Sequence, residues 1–382
     1  MNLTLKNQGS EKGIAPETEL LISCVRTDID PLTAEKINRL LQKDINWTYL
    51  VDRANDHRVM PLLYWTLKHT NIRAIPEVVL NQLKIYFNAN ALRNILLTQE
   101  LYKILNIFQK NDIPAIPFKG PVLAASVYNN LALRQFSDLD IIIKKDFCLK
   151  AQNLLLSEGY VLQRKEHHLT ETNQNNYLHS QHRYDEWYWK TLDINTLFGA
   201  RVEIHWETTR KHIIFPLNPE KLWDNLESIS ISGMTFPSLP PEDLLPILCV
   251  NYSKDHWTQL KMICDIAELI RSHPKMNWEK VIEHANSLGR ERTLLVGLFL
   301  AHDLFGTALP KKIWQKMQTD PGANSLSKQV RERLFPNCGY DPGWIEKMLF
   351  NVRLRENLQD KVRYILFSTV KIFECINLEF IS

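Results

Sequence analysis

Two aspartates in the middle of the chain have a spacing that suits metal-assisted phosphoryl chemistry. In Ser137-Asp138-Leu139-Asp140 they open an apolar run that continues into three isoleucines. Residues two apart on a strand project from the same face, so both carboxylates would lie side by side at the start of a buried strand. Neighbouring carboxylates repel each other unless a cation lies between them, and a divalent cation is the usual one.

A third acid, Glu203, follows in the segment R-V-E-I-H-W of residues 201–206. Alternation places Glu203 and His205 on one face of a predicted strand. With Asp138 and Asp140, Glu203 could hold two Mg²⁺ ions, an arrangement that stabilises the attacking and leaving oxygens of a displacement. Glu203 would be a ligand of the second ion or the base for the nucleophile. His205 would support the site or be hydrogen-bonded within the sheet. Alternatively, S-D-x-D is an Asx-capped turn and Glu203 faces solvent.

A strand, then Lys119-Gly120, then a helix precede the acidic segment, and this order suits phosphate binding. A helix N-terminus that begins with glycine lets a phosphate approach the backbone closely, and Lys119 would add a positive charge. The alternative is that Gly120 is only a turn residue and that Lys119 is solvated. Arg134, between the two segments, would either approach a phosphate or pair with Asp138.

Four further candidates, Lys254, His256, Lys261 and Asp265, lie on or between two predicted helices. The lysines would bind phosphate groups, Asp265 would orient one of them, and His256 would support the site. The alternative is an ordinary helix–turn–helix with solvated lysines and an internally paired Asp265.

Histidines and aromatic residues also cluster between the aspartates and Glu203. The spacing of His167, His168, His179 and His182 fits no usual zinc pattern, and no cysteine is near, so a solvated loop is favoured. The aromatic run of residues 187–189 is interpreted as a strand that packs on both faces, although one ring could stack on a base.

The hydrophobic period of the chain changes twice, which predicts an α+β fold with a small mixed sheet between helical regions. Strands are predicted at residues 113–118, 139–143, 160–163, 183–193 and 201–206, and helices among them at 120–128 and 147–158. The predicted domains are an N-terminal helical region at 1–111, a sheet-containing core at 112–240 and an all-helical C-terminal domain at 241–382. One long N-terminal helix, from Pro76 to Asn111, is expected to face the core with Leu92 and Ile95 among its apolar residues.

The composition is that of a folded protein without a dedicated nucleic-acid-binding role. The chain has 382 residues, 45% of them hydrophobic and 23% charged, and a net charge of only +3. No two of the six cysteines form a C-x-x-C pair, and the first residues contain no apolar signal region, so a reduced, cytoplasmic protein is predicted. Charges interrupt the apolar stretch 362–380, which is expected to be a packed helix and not a membrane span.

The order of a strand, a glycine turn, a helix, a D-x-D strand and a later acid resembles the nucleotidyltransferase superfamily that includes DNA polymerase beta. More closely, K-G-P-V-L-A-A-S-V-Y, A-L-R-Q-F-S-D-L-D-I-I-I, V-E-I-H-W and P-E-D-L-L-P-I-L-C-V resemble a bacterial family of uncharacterised nucleotidyltransferases. The resemblance covers roughly residues 101–271. One departure concerns the turn, where Lys119-Gly120-Pro121 replaces the Gly-Ser that superfamily members usually present.

This resemblance implies a nucleotidyltransferase core that binds a nucleoside triphosphate, with Mg²⁺ (or Mn²⁺) at Asp138, Asp140 and Glu203. The implied reaction moves an NMP from an NTP to an unidentified small-molecule, peptide or protein acceptor. The nucleotide-binding candidates are Lys119, Gly120, Arg134, Ser137, Lys254 and Lys261. The alternatives are a catalytically inactive scaffold that senses nucleotides or binds a partner, and a phosphotransferase on the same core.

Overall fold

In the part of the chain that the structure describes, helices precede and follow a small mixed sheet, so the predicted α+β class is confirmed. The computed structural model describes residues 15–70, 72–162, 169–170, 173, 185–193, 198–206, 221–335, 343–366 and 368. The four histidines considered for zinc lie outside these residues, as do most of the predicted loop around them and most of the stretch 362–380.

The N-terminal helices have local start signals that explain where they begin. They are α1 (Pro16–Cys24), α2 (Pro31–Leu40), α3 (Trp47–Asp56), α4 (Met60–Lys68) and α5 (Glu77–Lys110), with a 3₁₀ turn at Ile72–Ala74. The Asp30 side chain accepts a hydrogen bond from the Thr33 amide at the start of α2, and Asn46 does the same for α3. Such caps satisfy backbone N–H groups that have no partner inside the helix.

The inward face of α5 differs from the prediction. Leu92 and Ile95 are exposed, so their predicted burial is wrong. Asn90 and Asn94 face inward instead, and their amides donate hydrogen bonds to carbonyls within residues 131–134. Buried carbonyls require donors, and these two asparagines therefore fix the loop that leads into the acidic strand.

Over the described residues, the central sheet has five strands in the order β1-β2-β5-β4-β3. Its strands are β1 (Ala115–Pro117), β2 (Asp138–Ile143), β3 (Val161–Leu162), β4 (Asp185–Asp193) and β5 (Phe198–His205). Helices α6 (Gly120–Tyr128) and α7 (Cys148–Ser157), with a 3₁₀ turn at Lys145–Phe147, connect its first three strands. Strands β2 and β5 are parallel and the other pairs are antiparallel. The proline-containing β1 lies at an edge, as predicted.

The register between β2 and β5 brings the predicted acidic residues together. Asp138 lies opposite Arg201, and Asp140 lies opposite Glu203. The alternate residues point to the other face and enter a hydrophobic core with α5; they include Leu139, Ile141, Val202 and Ile204. The predicted alternation on both strands is therefore confirmed.

A short helix and a hairpin, the latter not predicted from the sequence, follow the sheet. They are α8 (Lys221–Asp224), β6 (Glu227–Ile231) and β7 (Met234–Ser238). Ser232 and Gly233, between the two strands, both have positive φ angles, which is the geometry of a two-residue hairpin turn. The hairpin buries Phe236 and Ile231 against the α5 side of the sheet.

The described residues after β7 are mainly helical, as predicted. The helices are α9 (Pro241–Ser253), α10 (Leu260–Ser272), α11 (Trp278–Ser287), α12 (Glu291–Phe305), α13 (Lys311–Gln318), α14 (Pro321–Leu334) and α15 (Trp344–Leu354), and residues 358–366 are also helical. Their apolar side chains share one hydrophobic core with α1 to α4. Within the described part of the chain, no helix is both long and apolar enough to cross a bilayer.

Candidate active site

The two central acids of the site meet a histidine on the same face of the sheet. Asp140 on β2 and Glu203 and His205 on β5 are all buried, and they offer ligand atoms that lie within 4.8 Å of one another. His205 Nε2 lies 3.0 Å from Asp140 Oδ1 and 3.8 Å from Glu203 Oε2. Two carboxylates and an imidazole at this spacing form a set of donors for a metal cation.

The electrostatics of this cluster fit a bound cation. Burial, and then the charge of Asp140, raise the pKa of Glu203 to about 7. Burial opposes the ionisation of Asp140 as well, but the Lys119 ammonium at 3.4 Å and the hydrogen bond with His205 hold its pKa well below the ordinary value. The charge of Asp140 is therefore well compensated, whereas Arg201 and His205 do not offset the effect of burial and of Asp140 on Glu203. A cation beside both carboxylates would favour their ionised forms.

Asp138 lies at the open end of the same row of acids. It is half-buried as the first residue of β2 and lines the cavity beside the acids together with Asp140. On the neighbouring strand β5, Arg201, which lies opposite Asp138, forms an ion pair with Glu203. Ser137 is exposed, and it is not one of the described residues that line the cavity.

Gly120 permits close contact between α6 and the acidic strand. Its φ angle is +53°, and a Cβ atom at this position would lie 3.2 Å from the carbonyl oxygen of Asp138. The φ angle favours glycine because other residues rarely adopt it. The short distance favours glycine because it leaves little room for a Cβ atom. The preceding Lys119 directs its ammonium towards Asp140 and over the Phe118 ring, whose centroid is 4.9 Å away. Its charge therefore lies at the acids and not in bulk solvent.

A cavity of about 530 Å³ opens beside the aspartates. This volume lies within the range of about 300–1,000 Å³ that is usual for ligand pockets. Its lining combines two groups of charged residues. The cationic ones are Arg58, Lys119, Arg134, Lys254, Lys261 and Lys347, and the acidic ones are Asp138, Asp140 and Asp255. This excess of cationic side chains suits a polyanionic ligand.

The loop between α9 and α10 forms one wall of the cavity in a strained conformation. His256 and Trp257 have φ angles of 53° and 49°, which cost free energy for residues other than glycine. Packing holds the loop in place, since Trp257 is fully buried and the Asn351 amide donates to His256 Nε2 at 2.9 Å. Burial lowers the pKa of His256 to about 4. Lys254, at the start of this loop, lines the cavity.

Lys261 lies in the first turn of α10, on the same wall. Its ammonium donates a hydrogen bond to the Gln135 carbonyl at 3.3 Å. Burial, and then the charge of Arg134, lower the pKa of Lys261 to about 8. An anionic ligand beside Lys261 would raise this pKa by favouring the charged form.

Asp265 forms a buried network that was only partly expected. Arg134 donates two hydrogen bonds to its carboxylate, at 2.8 and 2.9 Å, and the Tyr128 and Tyr252 hydroxyls donate at 2.6 and 2.5 Å. Burial opposes the ionisation of Asp265, but Arg134 holds its pKa below the ordinary value. Arg134 thus pairs with Asp265 and not with Asp138, the partner considered from the sequence. Asp265 was expected to orient one of the lysines, and it orients Arg134 instead. The network joins α6, α9 and α10.

Several residues of the site were not identified from the sequence. Arg58, in the turn between α3 and α4, and Lys347, on α15, line the cavity without any local signal. Tyr128 and Tyr252 are ordinary apolar-face residues in the sequence pattern. His205 was identified from the sequence as a supporting residue, because it shares a face with Glu203, or as a residue hydrogen-bonded within the sheet. The structure places it in the metal-capable cluster.

Comparison with known proteins agrees with this geometry. Residues 43–306 match the family described as uncharacterised nucleotidyltransferase. This segment is well over half of the chain and contains the acid cluster and every cavity-lining residue named above except Lys347. No curated protein matches the sequence. The chain therefore belongs to the uncharacterised nucleotidyltransferase family.

Proposed function

We propose that this protein is a Mg²⁺-dependent nucleotidyltransferase that moves an NMP from an NTP to a small-molecule, peptide or protein acceptor. Mn²⁺ is the alternative cofactor. The observation that carries the proposal is the register of Asp140 with Glu203, with Asp138 at the open end of the row and a cationic cavity beside it. A buried acid pair and an adjoining polycationic wall together suit a metal-bound triphosphate.

Asp138, Asp140 and Glu203 are the residues that would hold the metal. When bound, divalent cations would neutralise phosphate charge and stabilise the attacking and leaving oxygens. Mg²⁺ prefers oxygen ligands, so we assign His205 to orienting Asp140 through their 3.0 Å contact. Glu203 is either a metal ligand or the group that accepts the proton of the nucleophile.

The opposite wall of the cavity would hold the triphosphate. Lys254 and Lys261 supply positive charge from the helical side, and Lys119 supplies it from the sheet side. The Arg134–Asp265 pair positions α10, and therefore Lys261, relative to the acids. Gly120 would allow a phosphate to approach the start of α6. Arg134 is a positioning residue in this assignment, although it also lines the cavity.

Calorimetric titration with each of the four NTPs, with and without Mg²⁺, tests the binding step. Wild-type protein is expected to bind at least one NTP only when Mg²⁺ is present, and Asp138→Asn and Asp140→Asn are expected to abolish that binding. Asp146→Asn is the matched control, because Asp146 is exposed just beyond β2. Unchanged binding in both active-site variants would eliminate the proposal.

Product analysis then distinguishes the reaction types. Mass spectrometry of candidate acceptors after incubation with each NTP should find the mass of an added NMP, together with released pyrophosphate. Release of NDP would select the phosphotransferase alternative. Mg²⁺-dependent binding without turnover of any acceptor would favour a nucleotide-sensing scaffold.

A further inference from the structure

Lys119 places a positive charge directly on one carboxylate of the metal-capable cluster. Its Nζ lies 3.4 Å from Asp140 Oδ1, the same oxygen that lies 3.0 Å from His205 Nε2. Among the described residues, Asp140 is the one acidic partner with which this ammonium forms an ion pair. The free protein therefore already holds a cation at Asp140, and that cation belongs to the chain.

The backbone on both sides of Lys119 is fixed, so its side chain is the part that can move. The Phe118 amide donates a hydrogen bond to the Asp140 carbonyl at 3.3 Å, and Gly120 lies close to the Asp138 carbonyl. Lys119 has a flexible four-carbon stem and lines the cavity beside the acids. Its ammonium can therefore turn from Asp140 towards the cavity while the sheet stays unchanged.

A divalent cation held by Asp140 and Glu203 would compete with this ammonium. The side chains of Lys119 and Asp140 are only 14% and 4% exposed, and like charges repel strongly where little water screens them. The metal would also take from Lys119 its acidic partner. Binding of a metal without any other ligand is therefore opposed by a charge that the protein itself supplies.

A phosphate group that arrives with the metal would remove this conflict. Lysine is a common phosphate ligand that acts as a point charge, so phosphate oxygens would replace Asp140 as the partner of Lys119. Asp138, Asp140 and Lys119 line the same cavity, which places the ammonium beside the space for such a phosphate. Metal and phosphate together thus compensate both members of the Lys119–Asp140 pair, whereas the metal alone compensates only the carboxylate.

We propose that Lys119 is an internal counter-ion that a metal-bound polyphosphate displaces from Asp140. In the free protein the ammonium neutralises Asp140, and in the complex the metal takes its place while the ammonium moves to a phosphate oxygen. This exchange couples the two ligands, because each one binds well only with the other. The acids therefore hold their metal mainly when the nucleotide is present. The inference deepens the proposed function and rests on it.

The test measures two dissociation constants on the full chain and looks for effects of opposite sign. The first is that of Mn²⁺ alone, obtained from the electron paramagnetic resonance signal of the free ion. The second is that of the preformed complex of Mn²⁺ with inorganic tripolyphosphate, obtained by calorimetry. Lys119→Met should lower the Kd of Mn²⁺ about tenfold and raise that of the complex about tenfold, each equivalent to about 1.4 kcal/mol.

Three further variants separate the exchange from general damage to the site. Lys119→Gln also removes the charge but keeps a polar side chain, and it should change both constants in the same directions as Lys119→Met. Lys119→Arg keeps a cation and should stay close to wild type in both. Lys144→Met is the matched control and should change neither constant. Lys144 is a lysine at the other end of β2, roughly 13 Å along the strand from Asp140, with its ammonium over the Trp223 ring.

A purely structural role of Lys119 would weaken both kinds of binding together. A Mn²⁺ Kd that is unchanged or higher in both uncharged variants, or a complex that binds them as tightly as wild type, would overturn the proposal.

This outcome can be distinguished from failure of the proposed function. Normal Mg²⁺-dependent NTP binding with a Mn²⁺ affinity that is insensitive to Lys119 rejects the exchange alone. Tighter Mn²⁺ binding by both uncharged variants, in a protein whose wild type binds neither NTP nor the tripolyphosphate complex, supports Lys119 as the competitor of the metal and rejects the nucleotidyltransferase.

Discussion

Two buried charged clusters lie near each other in this molecule and differ in how completely their charges are compensated. The Asp265 carboxylate accepts four hydrogen bonds, two from Arg134 and two from tyrosine hydroxyls, and a single opposite charge balances it. In the acid cluster, Lys119 compensates Asp140 while the pKa of Glu203 is raised to about 7. Balanced buried charge fixes the architecture, whereas unbalanced buried charge indicates a ligand that is still to bind.

The largest expected effect separates function from stability at the unbalanced cluster. Glu203→Gln should reduce NMP transfer on the order of a thousandfold, as for the loss of a main electrostatic group in an active site. The same change removes a buried carboxylate whose pKa is raised to about 7 despite its ion pair with Arg201, so the metal-free protein should be as stable as wild type or more stable. Pyrophosphate release and thermal unfolding without metal measure the two effects. A melting temperature several degrees below wild type would contradict the comparison.

The balanced cluster should respond in the opposite way. Asp265→Asn leaves the Arg134 guanidinium buried without a counter-charge, which is expected to cost about 3–5 kcal/mol of unfolding free energy. Urea unfolding measures this loss. The double variant Arg134→Met with Asp265→Leu removes both charges and should cost clearly less than the two single changes added together. Simple additivity would mean that the pair is not a coupled unit.

A smaller effect is expected where α6 contacts β2. Gly120→Ala introduces a Cβ 3.2 Å from the Asp138 carbonyl at a φ angle of +53°, and backbone strain of this kind costs about 1–3 kcal/mol. Gly306→Ala is the matched control, because its φ angle is +63° and nothing lies within 4 Å of the added atom. The difference between the two free energies of unfolding isolates the crowding at Asp138. Equal losses would show that only the φ angle matters.

The smallest effect concerns pH. Lys261 has a pKa of about 8 in the free protein, and a bound triphosphate raises it by favouring the charged form. NTP binding therefore takes up a proton above pH 8, and affinity should fall by roughly tenfold at most between pH 7 and pH 9. Lys261→Arg stays charged and should flatten this dependence in calorimetric titrations. A fall of the same size in both proteins would assign it to another group.

The acid cluster could be predicted from the sequence because its geometry is local to each strand. The D-x-D spacing and the alternation around Glu203 fix which face each acid occupies, and one pairing between two strands then completes the row. The cavity wall could not be predicted in this way. The contact between Tyr128 and Asp265 spans 137 residues of sequence, and no periodicity within a single helix indicates such a partner.

The errors have similar causes. On α5, apolar residues occur on more than one side, so periodicity did not reveal that Asn90 and Asn94 face inward and Leu92 faces outward. The decisive factor was the need of carbonyls in residues 131–134 for donors. The β6–β7 hairpin was missed although its Ser232-Gly233 turn is a recognisable signal. The domain limits at 111 and 240 stay predictions, with the helices from both ends of the chain packed in one core.

The parallel pairing of β2 with β5 has a consequence for how the protein matures. Asp140 leaves the ribosome more than sixty residues before Glu203, and β3 and β4, which emerge in between, join the sheet only through β5. Such long-range pairing is slow compared with local helix formation. A nascent chain that ends before β5 has both aspartates but no glutamate beside them. In the proposed function, a metal held by all three acids would therefore be loaded late, by chains that have already completed the sheet.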